Sequence, residues 1–384
     1  MKNESYCLYL GGIFSEETML ANLAVSPAAN RWQRGLVSAM LNAGESVIVL
    51  GHQPEQLWPK GSFFAGRQSV LPQSISGNLV SYCNIPLLRR WSLKRRYLYE
   101  FKQLFKKHGP PKCIVSYNLP AHSIYIGLYA QRHLNVPWIP IVADVPDNKA
   151  ELIMHNQALH EATGRVFLSW GAWKNCTDVL KLHLDGGVEK VRDHSIASCG
   201  LPPIILFSGA MNKWAGVELL LQAFSQIVRR DVKLWLCGKG ATNAVLKAID
   251  ADKRITYFGC VSDEKLEELT NQSTIMVNPR DTSLPENHIN FPSKVLEYLS
   301  YCKPVISTWT DGLSPEYRDI LVIAENPNPD GIAAKIEEVL VWDQSKLSDY
   351  SQRVVVFLAA GKTWEIQSQR FIHFLNDIHP TQRA

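Results

Sequence analysis

The sequence predicts an α/β protein of two Rossmann-like domains. Three observations point there. Short apolar runs alternate with amphipathic stretches of helical length in two successive series. Between the series, from Asp185 to Pro203, glycines, charges and paired prolines break the apolar pattern. The chain has 384 residues, 46% hydrophobic and 20% charged, enough for two cores of ordinary size. The expected division is a first domain over 1–185, a linker over 186–203, a second domain over 204–362 and a terminal helix over 363–384.

The first series opens with a strand at Tyr6–Leu10, followed by Gly11-Gly12 where such a strand would turn. In open parallel sheets that carboxyl edge faces the ligand crevice, although two glycines alone are equally a tight turn. A helix over Asn30–Asn42 leads through Ala43-Gly44 to a strand at Ser46–Leu50. Residues 85–107 then carry Arg89, Arg90, Lys94, Arg95, Arg96, Lys102, Lys106 and Lys107 against Glu100 alone, interleaved with Trp91, Tyr97, Phe101 and Phe105. Basic residues mixed with large aromatics on a helix suit an anionic membrane surface. An amphipathic helix packing its aromatics on a sheet is the alternative. No RNA- or DNA-binding motif accompanies the run, so nucleic acid is not expected.

Strand Cys113–Tyr117, helix Ala121–Leu134, strand Trp138–Ala143, helix Asp147–Glu161 and strand Val166–Ser169 complete the series. Strands spaced by helices of that length imply a parallel sheet covered on both faces. Asp144 ends one strand and should sit at the crevice, as a hydrogen-bond acceptor for a sugar or acceptor hydroxyl or equally as a helix cap. His122 is a second candidate there, or simply the start of a helix.

Composition narrows the function classes. No apolar run approaches the roughly 18 residues needed to span a bilayer, and the N-terminal apolar run is too short for a signal peptide. A cytoplasmic protein is expected, peripheral on the inner membrane face if the basic helix docks there. The eight cysteines stand singly, with no CxxC pair and no matching histidine spacing, so reduced structural thiols and no metal site are expected. Asp250-Ala-Asp252 spells DxD after a helix-like run and is taken as a solvated turn. Net charge is +4, but residues 1–200 carry 21 Lys/Arg against 14 Asp/Glu and residues 201–384 carry 19 against 22. The basic excess belongs to the first half.

The second series begins with a strand ending at Ser208-Gly209, a loop over Met211–Ala215 and a helix near Gly216. Strand Lys233–Cys237 with loop Gly238-Lys239-Gly240 follows, then strand Ile255–Phe258 with Gly259. After VNPR, ending at Arg280, comes LPENHINFPSKVLEYLSYCKPVISTWTDG over 284–312, which orders loop, helix and strand. Proline suits the first helical position, so the helix is expected from Pro292. At about 100° per residue, Ser293, Lys294, Glu297 and Tyr301 share one face and Val295, Leu296, Leu299 and Cys302 the other. Ser293 and Lys294 in the first turn would make a phosphate seat and Glu297 would accept from sugar hydroxyls; a solvated face with a Lys294/Glu297 pair is the alternative. Strand Ile320–Ile323 and helices from Asp330 close the series.

The 284–312 stretch resembles the donor-binding segment of nucleotide-sugar-dependent glycosyltransferases of family 4, in which Glu-x7-Glu precedes Gly-Lys-Pro-Val-Ile. The second glutamate falls on Glu297, the first on Ile289, and Cys302 stands where glycine is usual. Asn290, Glu286 or Lys294 could take over the first glutamate's contact with the transferred sugar. The loop after Ser208 resembles the family's second-domain opening, where arginine and lysine clamp the donor diphosphate. Ala210 and Ala215 occupy those positions here, with Lys213, Arg280 and Lys294 as replacements.

The resemblance implies two domains facing each other across a cleft, the GT-B fold. It implies retaining, metal-independent sugar transfer from a nucleotide diphosphate donor, a UDP- or GDP-sugar, to a lipid-linked or oligosaccharide acceptor in cell-surface polysaccharide or glycolipid synthesis. No resident cofactor is implied. Glu297 would hold the ribose, Asp144 and Asn290 the transferred sugar; Lys213, Arg280, Lys294 and Ser293 would neutralise the diphosphate; Gly11, Gly12, Gly209, Gly238 and Gly259 would bring backbone close to the donor. A catalytically inactive GT-B-like scaffold subunit at the membrane is the alternative.

Overall fold

The computed structural model describes residues 5–21, 24–66, 71–146, 148–192, 202–285, 287 and 290–378. Glu286, Ile289, Asp147 and Cys199 lie outside the described residues. The chain forms two compact units. The first runs to Leu168 and takes up Ala172–Gly187 and the segment from Trp364; the second comprises Ser169–Gly171 and Val188–Thr363. Ser169–Gly171 was expected in the first domain. It groups with the second because the Trp170 N–H donates to Gly312 O at 3.0 Å and the Gly171 N–H to Asp311 O at 2.8 Å.

The first domain contains β1 (Cys7–Leu10), β2 (Val47–Gly51), β3 (Phe64–Ala65), β4 (Gly77–Leu79), β5 (Tyr82–Cys83), β6 (Cys113–Tyr117), β7 (Trp138–Val142), β8 (Arg165–Phe167) and β9 (Lys181–His183). Seven of these form a parallel sheet in the order β4-β2-β1-β6-β7-β8-β9, and β3 pairs antiparallel with β5. Apolar residues on both faces are buried, including Leu8, Leu10, Ile114, Trp138 and Ile139, as expected for a sheet sandwiched between helices. The order reverses between β1 and β6, and there the carboxyl ends of neighbouring strands open a crevice. Strands β3, β4, β5 and β9 were not expected. They are two or three residues long, too short for a periodic signal.

The helix Pro27–Asn42 is capped by Ser26, whose Oγ accepts from the Ala29 N–H at 3.4 Å, with Pro27 in its first turn. It starts earlier than expected. It receives the terminal helix Trp364–Ile378: a Cβ on Gly35 would lie 2.2 Å from the Trp364 indole, and the Trp32 and Trp364 rings meet edge to face at 5.6 Å. Glycine at 35 is what lets the two helices close.

The second domain is a six-stranded parallel sheet of β10 (Ile204–Ser208), β11 (Lys233–Cys237), β12 (Ile255–Gly259), β13 (Ile275–Asn278), β14 (Val305–Thr308) and β15 (Val322–Ala324), ordered β12-β11-β10-β13-β14-β15. Taken from its own first strand this is 3-2-1-4-5-6, the Rossmann order, with its switch point between β10 and β13. Helices Val217–Gln226 and Pro329–Leu340 cover one face with Leu220, Phe224, Ile332 and Ile336. Lys303 is buried and its ammonium donates to Thr270 O at 3.0 Å and Ser273 O at 2.7 Å. It thereby caps the carbonyl end of helix Asp263–Gln272, where a cation is favoured. The DxD sequence is also structural: Asp250 lies in helix Asn243–Ala251 and Asp252 holds Arg254 at 2.7 Å.

Overpacking the Gly35–Trp364 contact should destabilise the first domain. We expect Gly35→Val to lower its unfolding free energy by about 1–3 kcal/mol, measured as a reduced urea midpoint; an unchanged midpoint would show that the terminal helix does not dock there.

Candidate functional site

At the β10/β13 switch point three strand-end loops interlock through backbone. The Gly209 N–H donates to Cys237 O at 2.8 Å and the Gly238 N–H to Gly259 O at 2.7 Å. Gly238, at φ +148, lies so close that a Cβ would sit 1.6 Å from Gly209 O. Gly216, at φ +76, would place a Cβ 1.6 Å from Pro279 O. Side chains are excluded from these approaches, so what the loops present is largely backbone.

The cations stand around this frame. Lys294 Nζ donates to Ser208 Oγ at 3.0 Å, and its Cε lies 3.6 Å from the Cβ position of Gly209. Tyr298 secures the same strand end, its hydroxyl accepting from the Ser208 N–H at 2.7 Å and donating to Ser208 O at 3.1 Å. Burial pushes the Tyr298 hydroxyl pKa up, so it stays protonated and able to donate. Arg280 donates to Asn287 Oδ1 at 3.0 Å. Asn287 is fully buried and its amide donates to Trp214 O at 2.9 Å and Asp281 O at 2.8 Å, binding the loop after β10 to the loop after β13. Lys213 is exposed on that loop, with its carbonyl accepting from the Gly216 N–H at 3.0 Å.

Lys239 was not singled out from sequence. Its carbonyl accepts from the Met211 N–H at 2.9 Å, while its Nζ is buried and has no hydrogen-bond partner among the described residues. A buried unpartnered ammonium is costly and calls for an anion. The signal available beforehand was a lysine flanked by two glycines in a strand-end loop.

The helix expected from Pro292 is regular only over Lys294–Leu299. The Ser293 N–H donates to Phe291 O at 3.0 Å and the Val295 N–H to Pro292 O at 2.9 Å. Two of the backbone donors expected at the phosphate seat are thus engaged within the turn, and six residues sum to only a small dipole. Val295, Leu296, Leu299 and Cys302 are buried and Ser293, Lys294 and Glu297 half-buried. Tyr301, expected with the polar face, is buried at 7% exposure under the Arg192 guanidinium, 4.0 Å from its ring centre. Asn290 is half-buried, its carbonyl 2.2 Å from the Cβ position of Gly312.

In the first domain, the carboxyl ends of β1, β2, β6 and β7 surround a cavity of about 310 Å³, at the lower end of small-molecule sites. Gly11, Gly12, Gln33, His52, Tyr97, Asn118, His122 and Asp144 line it. The Gly12 N–H donates to Gln33 Oε1 at 3.1 Å, and a Cβ on Gly11 would strike that oxygen at 2.3 Å. Asn118, at φ +56, accepts from the Ala143 N–H at 2.8 Å and the Asp144 N–H at 3.1 Å and donates to Asp144 Oδ2 at 3.1 Å. The Asp144 carboxylate is thus aimed by Asn118 and caps no helix; Asn148 caps the next one, which begins at Lys149.

His52 Nδ1 lies 2.8 Å from the Tyr97 hydroxyl, and the His122 ring sits 4.3 Å from the Tyr97 ring and 5.0 Å from His52. Burial and the nearby Arg89 charge push the His52 pKa down to about 4. Burial, His52 and Arg89 hold His122 well below the ordinary value. Both imidazoles are neutral at pH 7.

Residues 202–341 match the family described as glycosyl transferases group 1. The matched stretch lies within the second domain and spans its β10 to the end of helix Pro329–Leu340. Among curated proteins no match is found. Solved structures resemble the whole chain at low identity. A glycosyltransferase from Rickettsia africae is 15% identical at TM-score 0.72, covering 99% of this chain and 100% of that one. Sucrose-phosphate synthase from Thermosynechococcus elongatus is 15% identical at TM-score 0.72, covering 98% and 99%. Anabaena HepE in complex with UDP-glucose is 12% identical at TM-score 0.69, covering 97% and 99%. At such identities the likeness establishes the fold: two Rossmann-like domains of the GT-B class.

The buried imidazoles make a pH prediction. With the His52 pKa at about 4 when folded and about 6.5 when unfolded, only the unfolded chain gains a proton between those values, so stability is complete above pH 6.5 and falls toward pH 4. The loss is at most about 3 kcal/mol for this group. Thermal unfolding across that range should show a shallower decline for His52→Gln than for the native chain; parallel declines would mean the imidazole is not held neutral.

Proposed function

We propose that the chain is an active, retaining glycosyltransferase that moves a sugar from a UDP- or GDP-sugar to a hydroxyl of a lipid-linked or oligosaccharide acceptor. The setting is cell-surface polysaccharide or glycolipid synthesis, in the cytoplasm at the inner face of the membrane. The observation that carries this reading is that the strand ends of the second domain carry Arg280, a Lys294 ammonium braced on Ser208 and a buried, unpartnered Lys239 ammonium. The structure of Anabaena HepE with UDP-glucose supports the donor class.

Negative charge grows on the diphosphate as its bond to the sugar breaks. Positioned cations in a site shielded from water stabilise that charge without reorganising, and here protein cations take the part a metal plays elsewhere. Lys294 is braced on Ser208 and held by the Tyr298 strand-end lock, so its ammonium is set before the donor arrives. Lys239 gains its missing partner from a phosphate oxygen. Glu297, one turn beyond Lys294, accepts from the ribose hydroxyls, and Asn290 contacts the transferred sugar. In the first domain Asp144, aimed by Asn118, accepts from a hydroxyl, and neutral His52 and His122 form a wall suited to an uncharged ring.

The alternative, an inactive scaffold of the same fold, rests on Ala210 and Ala215 standing where the family has its arginine and lysine. Retention of Lys239, Arg280 and Lys294 speaks against it.

Removing one positioned donor from such a site lowers turnover by about 10²–10³. We expect Lys294→Ala and Lys239→Ala each to fall in that range in donor turnover, with thermal midpoints close to native. Undiminished turnover in both would end the clamp assignment. A titration of thermal stability with UDP, GDP, ADP and CDP should show one strong response, about 2.7 kcal/mol at a hundredfold excess over its dissociation constant; no response to any would favour the scaffold.

A further inference from the structure

The helix Leu88–His108 buries Leu93, Tyr97, Phe101 and Leu104 in one stripe against the first domain. The expected alternatives for this helix are therefore both in play on different faces. Arg90, Trp91, Lys94 and Arg95 lie exposed on the other side, Arg90 paired with the exposed Glu151 and the Lys94 ammonium 3.7 Å from the Tyr125 ring centre. Trp91 is 57% exposed and carries the Arg95 guanidinium 4.8 Å from its ring centre. Just before the helix, Leu87 is 95% exposed in left-handed backbone at φ +68. A leucine so placed is strained and hydrated at once.

A second element lies beside the helix start. Asn84, fully buried, donates its amide to Gln56 O at 2.7 Å and Ser62 O at 3.0 Å, its N–H to Phe63 O at 2.8 Å, and accepts from the Trp58 N–H at 3.1 Å. The neighbouring Cys83 N–H donates to Ser92 Oγ of the helix at 2.9 Å. Loop 56–63 is therefore fastened to the helix start. It presents Leu57, Trp58, Phe63 and the adjoining Phe64, each 43–47% exposed, with Phe63 edge to face with Trp58 at 6.2 Å and with Phe64 at 4.9 Å.

We propose that residues 57–64, with Leu87 and Trp91, form the apolar anchor by which the first domain docks on an anionic membrane surface. Arg90, Lys94 and Arg95 are its headgroup contacts. This inference rests on the membrane reading of the basic helix and adds the anchor to it. Aromatic and leucyl side chains enter the boundary between headgroups and acyl chains, and adjacent cations hold the anionic headgroups. Charge complementarity selects this occupant: a second copy would set the same cations against each other, whereas an anionic bilayer matches them. No helix among the described residues is long and apolar enough to cross a membrane, which fits attachment at the surface.

The test uses the full chain without donor, sedimented with phosphatidylcholine–phosphatidylglycerol vesicles and with pure phosphatidylcholine vesicles. Binding to the anionic vesicles and release by salt are expected. Arg90→Glu with Arg95→Glu should weaken binding by about tenfold or more, since each cation contributes roughly fivefold. Trp58→Ser with Phe63→Ser should weaken it comparably, while Lys346→Glu on the second domain leaves it unchanged. Loss with the charge pair but native binding by the aromatic pair would overturn the anchor and leave the helix contact standing. No binding by the native chain would overturn both. Self-association abolished by the aromatic pair, without vesicle binding, would give the face to a second copy instead.

Discussion

Backbone touching backbone is the constraint on which the second domain depends. Gly238 against Gly209 and Gly216 against Pro279 bring the loops after β10, β11 and β13 within a distance that no side chain permits. The sheet order makes this possible, because β10 lies between β11 and β13 and the chain turns in opposite directions on its two sides. Once the loops are fixed, the residues they carry have little freedom. Lys294 reaches Ser208 because Tyr298 already clasps that strand end through both its N–H and its carbonyl. Rigid placement of charge is what a departing diphosphate needs.

The first domain repeats the topology and fills its switch point differently. Its crevice is closed behind by imidazole and phenol rings packed on one another, and its polar rim is organised by Asn118 and Gln33. One domain carries cations on its strand-end loops, and the other sets the Asp144 carboxylate in a cavity beside neutral imidazoles. The basic excess of the first half lies largely on an outer helix face, and of that helix Arg89 alone is among the charges that hold the imidazoles neutral.

Much of this order was legible in the chain. The strands of five residues with even burial, such as Cys113–Tyr117 and Trp138–Val142, announce themselves as apolar runs, and the alternation around them fixes the fold class. Gly238 falls at its strand end because only glycine tolerates the approach to Gly209 O, and Gly259 at its own because the backbone there is left-handed at φ +70. Lys294 and Glu297 were legible from helical spacing, yet the same spacing misplaced Tyr301, which Arg192 covers from far away in sequence. The segment from His52 to Asn84 was opaque: its strands are too short for periodicity, and its organisation hangs on Asn84, whose bonds no local pattern reveals. Lys239 was missed for the same reason, as was the packing of His52 and Tyr97 around the expected His122. Burial of a lysine Nζ, or ring contact between residues tens of positions apart, is a tertiary property.

The central claim is that the second domain recognises a nucleotide through its diphosphate, using Lys239, Arg280 and Lys294. Calorimetric titration of the full chain with UDP and GDP against uridine and guanosine tests it most directly. Charge-assisted bonds from three cations predict that one diphosphate binds at least about a hundredfold more tightly than its nucleoside, and that Lys239→Ala removes most of that difference. Equal affinity for nucleoside and diphosphate, or a difference untouched by Lys239→Ala and Lys294→Ala together, would contradict the account.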